Sequence, residues 1–227
     1  MGEDEVAVSD RWVLLSELDD GERRALLARA RRRTFGRREV IFHAGDAGDS
    51  VHLLAKGHVA ITITTPLGDT ALVRVLRPGD WFGELVLIDA GPRSATATAV
   101  EGAETMMIHR DEFDELRRRS PRVQEVLVRA LAGEVRRLTG ALADAQYLSA
   151  EARLWRRLLE LTAAFGDVPP VELPLTQDEL AQLAGATRQT VNRLLREAEG
   201  AGALKLSRGR CVVLDVPWMR RAAGIRR

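Results

Sequence analysis

Gly83-Glu84-Leu85, followed eight residues later by Arg93-Ser94-Ala95, is the stretch on which the reading of this chain turns. Arg93 offers a planar fork of donors that suits a phosphate, and Ser94 adds a hydroxyl beside backbone N–H groups. Glu84 is a fixed acceptor for a sugar hydroxyl. Together they have the chemistry to hold an anionic sugar-phosphate ring, which is a binding site and not a reaction centre. Taken alone, Glu84 and Arg93 read more readily as an ion pair across a surface loop, since structural pairs outnumber ligand sites, so the neighbouring sequence has to decide.

Upstream lie short strand-like runs: Glu39–Phe42, Val51–Leu54, His58–Ile63 and Ala71–Leu76. Gly45, Gly48, Gly57, Gly68 and Gly79 punctuate them at the spacing of a small antiparallel barrel or jelly roll. Two more runs, Ala95–Val100 and Thr105–His109, follow the Arg93 element. A short helix is predicted from about Arg110 to Ser120-Pro121, where Ser can cap and Pro can open a second helix reaching about Tyr147. Along that helix Val128, Leu131, Val135, Leu138, Leu142 and Ala145 alternate spacings of three and four, the seam of a left-handed coiled coil. Either a second copy or the chain's own barrel could cover the stripe; a helix of this length overshoots a small barrel, which favours dimerisation.

A hinge at Leu148-Ser149-Ala150 precedes an amphipathic helix carrying Leu154, Leu158, Leu159 and Leu161, and Phe165 to Pro170 with Pro174 reads as a linker. Thr176-Gln177-Asp178-Glu179 is a capping box, Gly185 supplies a turn, and Thr187 can cap the next helix. In that helix Val191, Leu194, Leu195 and Ala198 form the apolar face; Arg188, Gln189, Asn192 and Arg193 fall opposite, as a helix presenting donors to base edges requires. Beyond it, Ala203–Leu206 and Cys211–Leu214 flank the basic tip Ser207-Arg208-Gly209-Arg210 of a hairpin that can touch a phosphate.

Composition sets outer limits. The 227 residues with 45% hydrophobic content can bury at least one core and allow two domains. No apolar run has membrane-spanning length and the acidic start Met1-Gly2-Glu3-Asp4-Glu5 is unlike a signal peptide, so a cytoplasmic protein that does not engage membranes is expected. One cysteine, Cys211, rules out an internal disulfide and a cluster held by four thiolates of one chain. The net charge is only +1, yet residues 171–227 carry ten Arg/Lys against six Asp/Glu, a surplus of four that suits a polyanion. Arg220, Arg221, Arg226 and Arg227 at its end read as a solvated basic tail.

The stretch from about Phe35 to His109 resembles the cyclic-nucleotide-binding domain, with Gly83-Glu84-Leu85 and Arg93-Ser94-Ala95 matching its phosphate-binding cassette. In the order of its parts nearly the whole chain resembles the bacterial transcription regulators typified by the cyclic-AMP receptor protein and FNR. The resemblance implies an α+β chain: a sensor domain built as an antiparallel β-barrel or jelly roll (1–120), a long dimerisation helix (121–148) and a winged helix-turn-helix (149–227). It implies a homodimer on palindromic double-stranded DNA, with RNA polymerase as a partner, switched by a cyclic nucleotide. Gly83, Glu84, Leu85, Arg93, Ser94 and Ala95 would hold phosphate and ribose. Leu138 and Thr139 match the helix pair that meets the purine base, where cyclic-AMP-responsive members tend to carry two hydroxyl residues. The first hydroxyl is missing here; cyclic AMP is the first choice of effector, with cyclic GMP, another nucleotide or a ligand-independent mode open. Arg188, Gln189 and Arg193 match base-reading positions, with an amide where the family has glutamate. Thr176, Thr187, Thr190 and Arg208 match phosphate contacts, and Asn192 shares their surface.

Metal, iron–sulfur cluster and haem are not expected. The cluster-binding cysteines of oxygen-sensing members have no counterpart here, and His43, His52, His58 and His109 are scattered over strands and loops. Two other classes bear on the residues: a nucleotide-sensing module that controls a protein partner, and an enzyme acting on a cyclic nucleotide. The second lacks metal-ligand spacing, a nucleophile elbow and an acid–base pair near the cassette.

Overall fold

The computed structural model describes residues 12, 15, 18–66, 68–89, 91–166 and 168–225; Met1–Glu5, Arg226 and Arg227 lie outside the described residues. The chain divides into two compact units, Met1–Ile61 with Leu76–Arg137, and Thr62–Val75 with Leu138–Arg227.

The first unit opens with helix α1 (Asp20–Arg29), started by a capping box in which Asp19 accepts from Gly21 N and Glu22 N while Glu22 accepts from Asp19 N. Eight strands follow along the chain, the end of β4 and nearly all of β5 falling in the second unit: β1 (Arg31–Phe35), β2 (Val40–Phe42), β3 (Ser50–Lys56), β4 (Val59–Thr64), β5 (Thr70–Leu76), β6 (Trp81–Phe82), β7 (Thr96–Ala99) and β8 (Ala103–His109). They form two four-stranded sheets, ordered β1-β8-β3-β6 and β2-β7-β4-β5. This is the two-sheet jelly roll, and it corrects the closed-barrel alternative: the sheets remain separate. Strand β3 shows why its middle, His52 apart, is apolar from Val51 to Ala55. Val51 and Leu53 join a core formed with helices, whereas Leu54 points into the core between the sheets with Phe35, Val59, Leu76, Phe82, Ala97 and Ala99. A strand covered on both faces has no polar side to alternate with.

The helical core gathers Trp12, Leu15, Leu18 and Leu26 with Phe113 and Leu116 of α3 (Arg110–Arg119) and Val123, Val126 and Leu127 of α4 (Pro121–Tyr147). Between β6 and β7 lies the single turn α2 (Val86–Asp89). The first turns of helix α4 bury Val123, Val126 and Leu127 in the chain's own core, and none of these belongs to the stripe. Farther along, Val128, Leu138 and Leu142 are 54%, 47% and 58% exposed.

The second unit holds α5 (Ala150–Phe165), β9 (Val171–Leu173), α6 (Gln177–Ala184), α7 (Arg188–Gly200), β10 (Leu204–Ser207), β11 (Arg210–Val213) and α8 (Val216–Ala222). The hinge residue Ser149 is also the cap of α5, accepting from Ala152 N. Val171–Leu173, read as linker from the sequence, is instead a third strand, pairing antiparallel with β11 to give the sheet β10-β11-β9. Its alternating buried–exposed–buried pattern is the strand signature, three residues long and masked by the prolines on either side. Leu154, Trp155, Leu158, Leu180, Leu194, Leu195 and Met219 fill the core, where Trp155 meets Trp218 edge-on at 5.1 Å.

Candidate nucleotide and DNA sites

Strand β6 pairs with β3 through His52↔Phe82 and Leu53↔Trp81 and delivers the chain to Gly83, whose φ of +80° few side chains tolerate. A Cβ there would stand 2.4 Å from Arg93 Nη1 and 3.3 Å from Ser50 O, so only glycine lets the guanidinium approach. The Arg93 backbone is clamped to the loop before β3: Gly45 N donates to Arg93 O (2.8 Å) and Arg93 N to Asp46 O (2.9 Å).

Arg93 is not on a surface loop; it is 5% exposed. Nη1 donates to Gly83 O at 3.1 Å, Nη2 donates to Ser50 Oγ at 3.1 Å, and the guanidinium carbon lies 4.2 Å from the centre of the Phe42 ring. Ser50 Oγ in turn donates to Asp49, which faces Arg93 Nη2 at 3.9 Å. The buried Nε has no hydrogen-bond partner among the described residues. Burial pulls the pKa of Arg93 down, opposed by Asp49, Asp46 and Glu84, while a guanidinium stays charged at neutral pH. A buried cation with an unspent donor is what a phosphodiester anion needs, because the cation has already lost its water.

Beneath Arg93, His52 stacks on Phe82 (5.2 Å, 17°), tilts against Phe42 and Phe35, and shares a hydrogen bond with Thr105 Oγ1 (3.0 Å). Desolvation first, then the Arg93 charge, pushes its pKa from 6.5 down to about 4, so it is neutral. Of the other expected ligand residues, Glu84 and Ala95 are half-buried beside Gly83 and Arg93, and Leu85 and Ser94 are exposed. Leu138 and Thr139 are exposed on α4 and belong to the second unit. Sequence reasoning missed Ser50, Asp49 and Phe42; more than forty residues separate them from Arg93, and only the sheet pairing brings them together. His43 is exposed, His58 pairs with Glu101 (2.6 Å) and His109 N donates to Glu112. Among the described residues no three His, Cys, Asp or Glu side chains group as a metal site, and none of the helices there is long and apolar enough to cross a membrane. Burial pushes the Cys211 thiol up to about 12.

In the second unit the capping box forms: Thr176 Oγ1 accepts from Glu179 N (3.2 Å) and Glu179 accepts from Thr176 N (2.7 Å). Thr176 Oγ1 also donates to Glu179 (2.9 Å), so in this arrangement its proton points inward and not at a phosphate. Gly185 closes α6 in the left-handed conformation (φ 59°, ψ 45°), with Ala186 N returning to Ala181 O. Arg153 locks that turn: Nε donates to Ala184 O, Nη2 to Gly185 O and Nη1 to Leu148 O at 2.8–3.0 Å. No local motif announced this arginine. Thr187 caps α7 by accepting from Thr190 N, and the two hydroxyls lie 2.9 Å apart. Arg188, Gln189 and Arg193 are exposed on α7, with Thr190 and Asn192 half-buried. Arg208 is exposed at the two-residue turn whose Gly209 has φ +73°, while Arg210 pairs with Glu172 (2.8 Å).

Two family models match successive parts of the chain: the cyclic nucleotide-binding domain over residues 32–120 and the Crp-like helix-turn-helix domain over residues 152–222. A CRP-like cAMP-activated global transcriptional regulator of Mycobacterium tuberculosis is 34% identical over 185 residues, 80% of this chain and 82% of that protein. The chain belongs to the CRP/FNR family of transcription regulators. It is a DNA-binding regulator with a cyclic nucleotide-binding domain, and not an enzyme. The cyclic AMP receptor protein of Thermus thermophilus is 34% identical over 178 residues, 78% of this chain and 81% of that protein. Among solved structures, the Thermus thermophilus catabolite activator protein covers 94% of this chain and 100% of its own at 32% identity, with a TM-score of 0.55. The c-di-GMP responsive regulator CLP of Xanthomonas campestris shares the fold alone, at 22% identity over 87% of this chain and 100% of its own with a TM-score of 0.73.

Proposed function

We propose that this regulator is a cytoplasmic homodimer that binds cyclic AMP at the Arg93 cassette and reads a palindromic DNA site through α7, acting with RNA polymerase. The buried guanidinium of Arg93, held on Gly83 O and Ser50 Oγ with its Nε unspent, is the observation that carries the ligand assignment. Gly83, Glu84, Leu85, Ser94 and Ala95 surround the phosphate and ribose. Thr139, with Leu138 where a hydroxyl is usual, would meet the base, so purine choice is less constrained than phosphate binding. Residues 1–120 act as sensor, 121–148 as the dimer helix and 149–227 as the DNA-binding domain. Arg188, Gln189 and Arg193 read bases, with Asn192 on the same face, and Thr187, Thr190 and Arg208 attend the backbone, with Thr176 at its edge. The exposed stripe Val128–Leu138–Leu142 favours a second copy as its cover, since a single chain leaves these apolar groups in water.

Calorimetric titration of the purified chain with cyclic AMP, cyclic GMP and linear AMP tests the ligand. Saturable binding of cyclic AMP, tighter than that of linear AMP, is expected; no heat with any of the three means a ligand-independent regulator. Sedimentation of Leu138→Asp tests the dimer, because it sets two carboxylates against each other in the seam. A dimer that persists at micromolar concentration sinks that assignment.

A further inference from the structure

All three arginines of α7 pair with carboxylates: Arg188 Nε with Asp178 Oδ1 at 3.1 Å, Arg193 Nη1 with Glu197 Oε1 at 2.6 Å, and Arg196 Nη1 with Glu199 Oε2 at 2.8 Å. The third pair ties α7 to the wing, since Glu199 also accepts from Leu206 N at 2.7 Å. The Arg188–Asp178 pair joins α7 to α6, and the Arg193–Glu197 pair lies within α7. Their side chains are half or more exposed, 70% and 50% for Arg188 and Asp178, 61% and 57% for Arg193 and Glu197. Pairs in that setting add little to stability. The Arg193–Glu197 pair also runs with its cation N-terminal, the weaker order on a helix. Two acids placed on a surface that meets a polyanion need another explanation, because each repels phosphate.

We propose that Asp178 and Glu197 are specificity-determining positioning residues. Each holds a base-reading arginine by one nitrogen and leaves a two-donor edge of the guanidinium for guanine O6 and N7, while its charge disfavours looser engagement of phosphates. A guanidinium has five N–H donors, so spending one leaves a complete fork. Fixing the side chain beforehand removes the cost of ordering it on the DNA. The ion pair of Asp178 with Nε of Arg188 leaves the two terminal nitrogens of that guanidinium outside the pair. This rests on the assignment of Arg188 and Arg193 as base readers.

The test uses the 227-residue chain with saturating cyclic AMP, the duplex that the parent selects from a random library, and a shuffled duplex of equal length, all at one salt concentration. Asp178→Asn and Glu197→Gln should each weaken binding to the selected duplex about two- to tenfold, the cost of an arginine ordered only on binding. Binding to the shuffled duplex should stay the same or tighten. Repeated selection should show preference relaxed at the guanine read by the affected arginine and kept at the other positions. Glu197→Asp and Asp178→Glu, which keep the charge, should recover part of the preference. Equal tightening on both duplexes would mean that the acids merely compete with DNA, and unchanged ratios with unchanged selected motifs would mean that they are solvated bystanders; either outcome overturns the proposal. Arg188→Ala and Arg193→Ala, measured alongside, separate the two levels. If they keep the parent's motif, the base-reading assignment itself fails.

Discussion

Arginine does opposite things at the two sites. Arg93 is 5% exposed, carries a neighbouring carboxylate only at 3.9 Å, and keeps a buried Nε without a hydrogen-bond partner among the described residues. Arg188 and Arg193 stand 70% and 61% exposed with carboxylates at 3.1 and 2.6 Å. The buried cation is under-neutralised, so an arriving anion meets a donor set that has already been desolvated and aimed. The exposed cations are neutralised locally and acquire direction from their partners. A small anion that must bind alone calls for the first arrangement. A long polyanion, whose backbone would attract any free cation at any sequence, calls for the second.

The largest effect should come from breaking the buried side of this contrast. Arg93→Leu removes the charge-assisted clamp and should weaken cyclic AMP binding by about 2–5 kcal/mol. Its effect on folding should be small or favourable, because burial already penalises the charge and leucine brings none into the same space. Titration calorimetry and a denaturant melt on the same variant check both halves. A variant that unfolds, or one that binds as well as the parent, contradicts the picture of a cation buried for its ligand.

His52 sharpens the same point through pH. Its folded pKa of about 4 lies below the ordinary 6.5, so the unfolded chain takes up a proton first as pH falls. Stability attributable to neutral His52 is complete above about pH 6.5 and declines as pH drops toward 4, a loss of roughly 3 kcal/mol. His52→Phe should flatten the stability profile across that window, whatever constant offset it adds. Part of the depression is the Arg93 charge, so a phosphate seated on Arg93 should raise the His52 pKa. Proton NMR titration of the ring with and without cyclic AMP would show this; coincident curves would mean that the ligand does not neutralise Arg93.

On the exposed side, alanine at Arg188 or Arg193 should cost about 1–3 kcal/mol on the preferred duplex and flatten preference at one base pair each. Competition binding against single-base variants of that duplex measures it. Uniform weakening across all variants would make these residues phosphate contacts.

The legible parts of the molecule were those whose signal is local. Thr176 to Glu179, Gly185 and Thr187 announced two helix starts and one stop within four residues each, and β3, β4 and β5 carried unbroken or alternating apolar runs. Strand β1 escaped because an edge strand tolerates charge, and Arg31-Arg32-Arg33 looks like anything but a strand until β8 pairs with it. The start of α1 was legible in Asp19 and Glu22, a capping box of the same kind as Thr176 and Glu179, and went unread. Strand β9 is too short for periodicity. Within the cassette, Arg93 and Gly83 stood out by type and spacing, but the side chains that aim Arg93, namely Phe42 and Ser50, come from strands far away in sequence. The sequence around Arg93 also says nothing of its burial.

Gln189 should give the smallest and most pointed effect. Where family members with glutamate can only accept, as from cytosine N4, the amide both donates and accepts and so matches adenine N7 and N6. The parent should therefore tolerate or prefer an A·T pair at that step, and Gln189→Glu should move the preference toward G·C by about 1 kcal/mol, the low end for a base contact. The substitution adds an acid to a surface where Asp178 and Glu197 already stand near arginines, so overall affinity should fall for every duplex while the order among duplexes changes only at one position. Selection from a random library with parent and variant at one salt concentration reads the base effect, and binding to the selected duplex over a series of salt concentrations reads the general charge effect, which shifts the salt slope while the base effect does not. Identical motifs with a changed salt slope would leave Gln189 as a solvated neighbour of the backbone, and base choice would then rest on Arg188 and Arg193 alone.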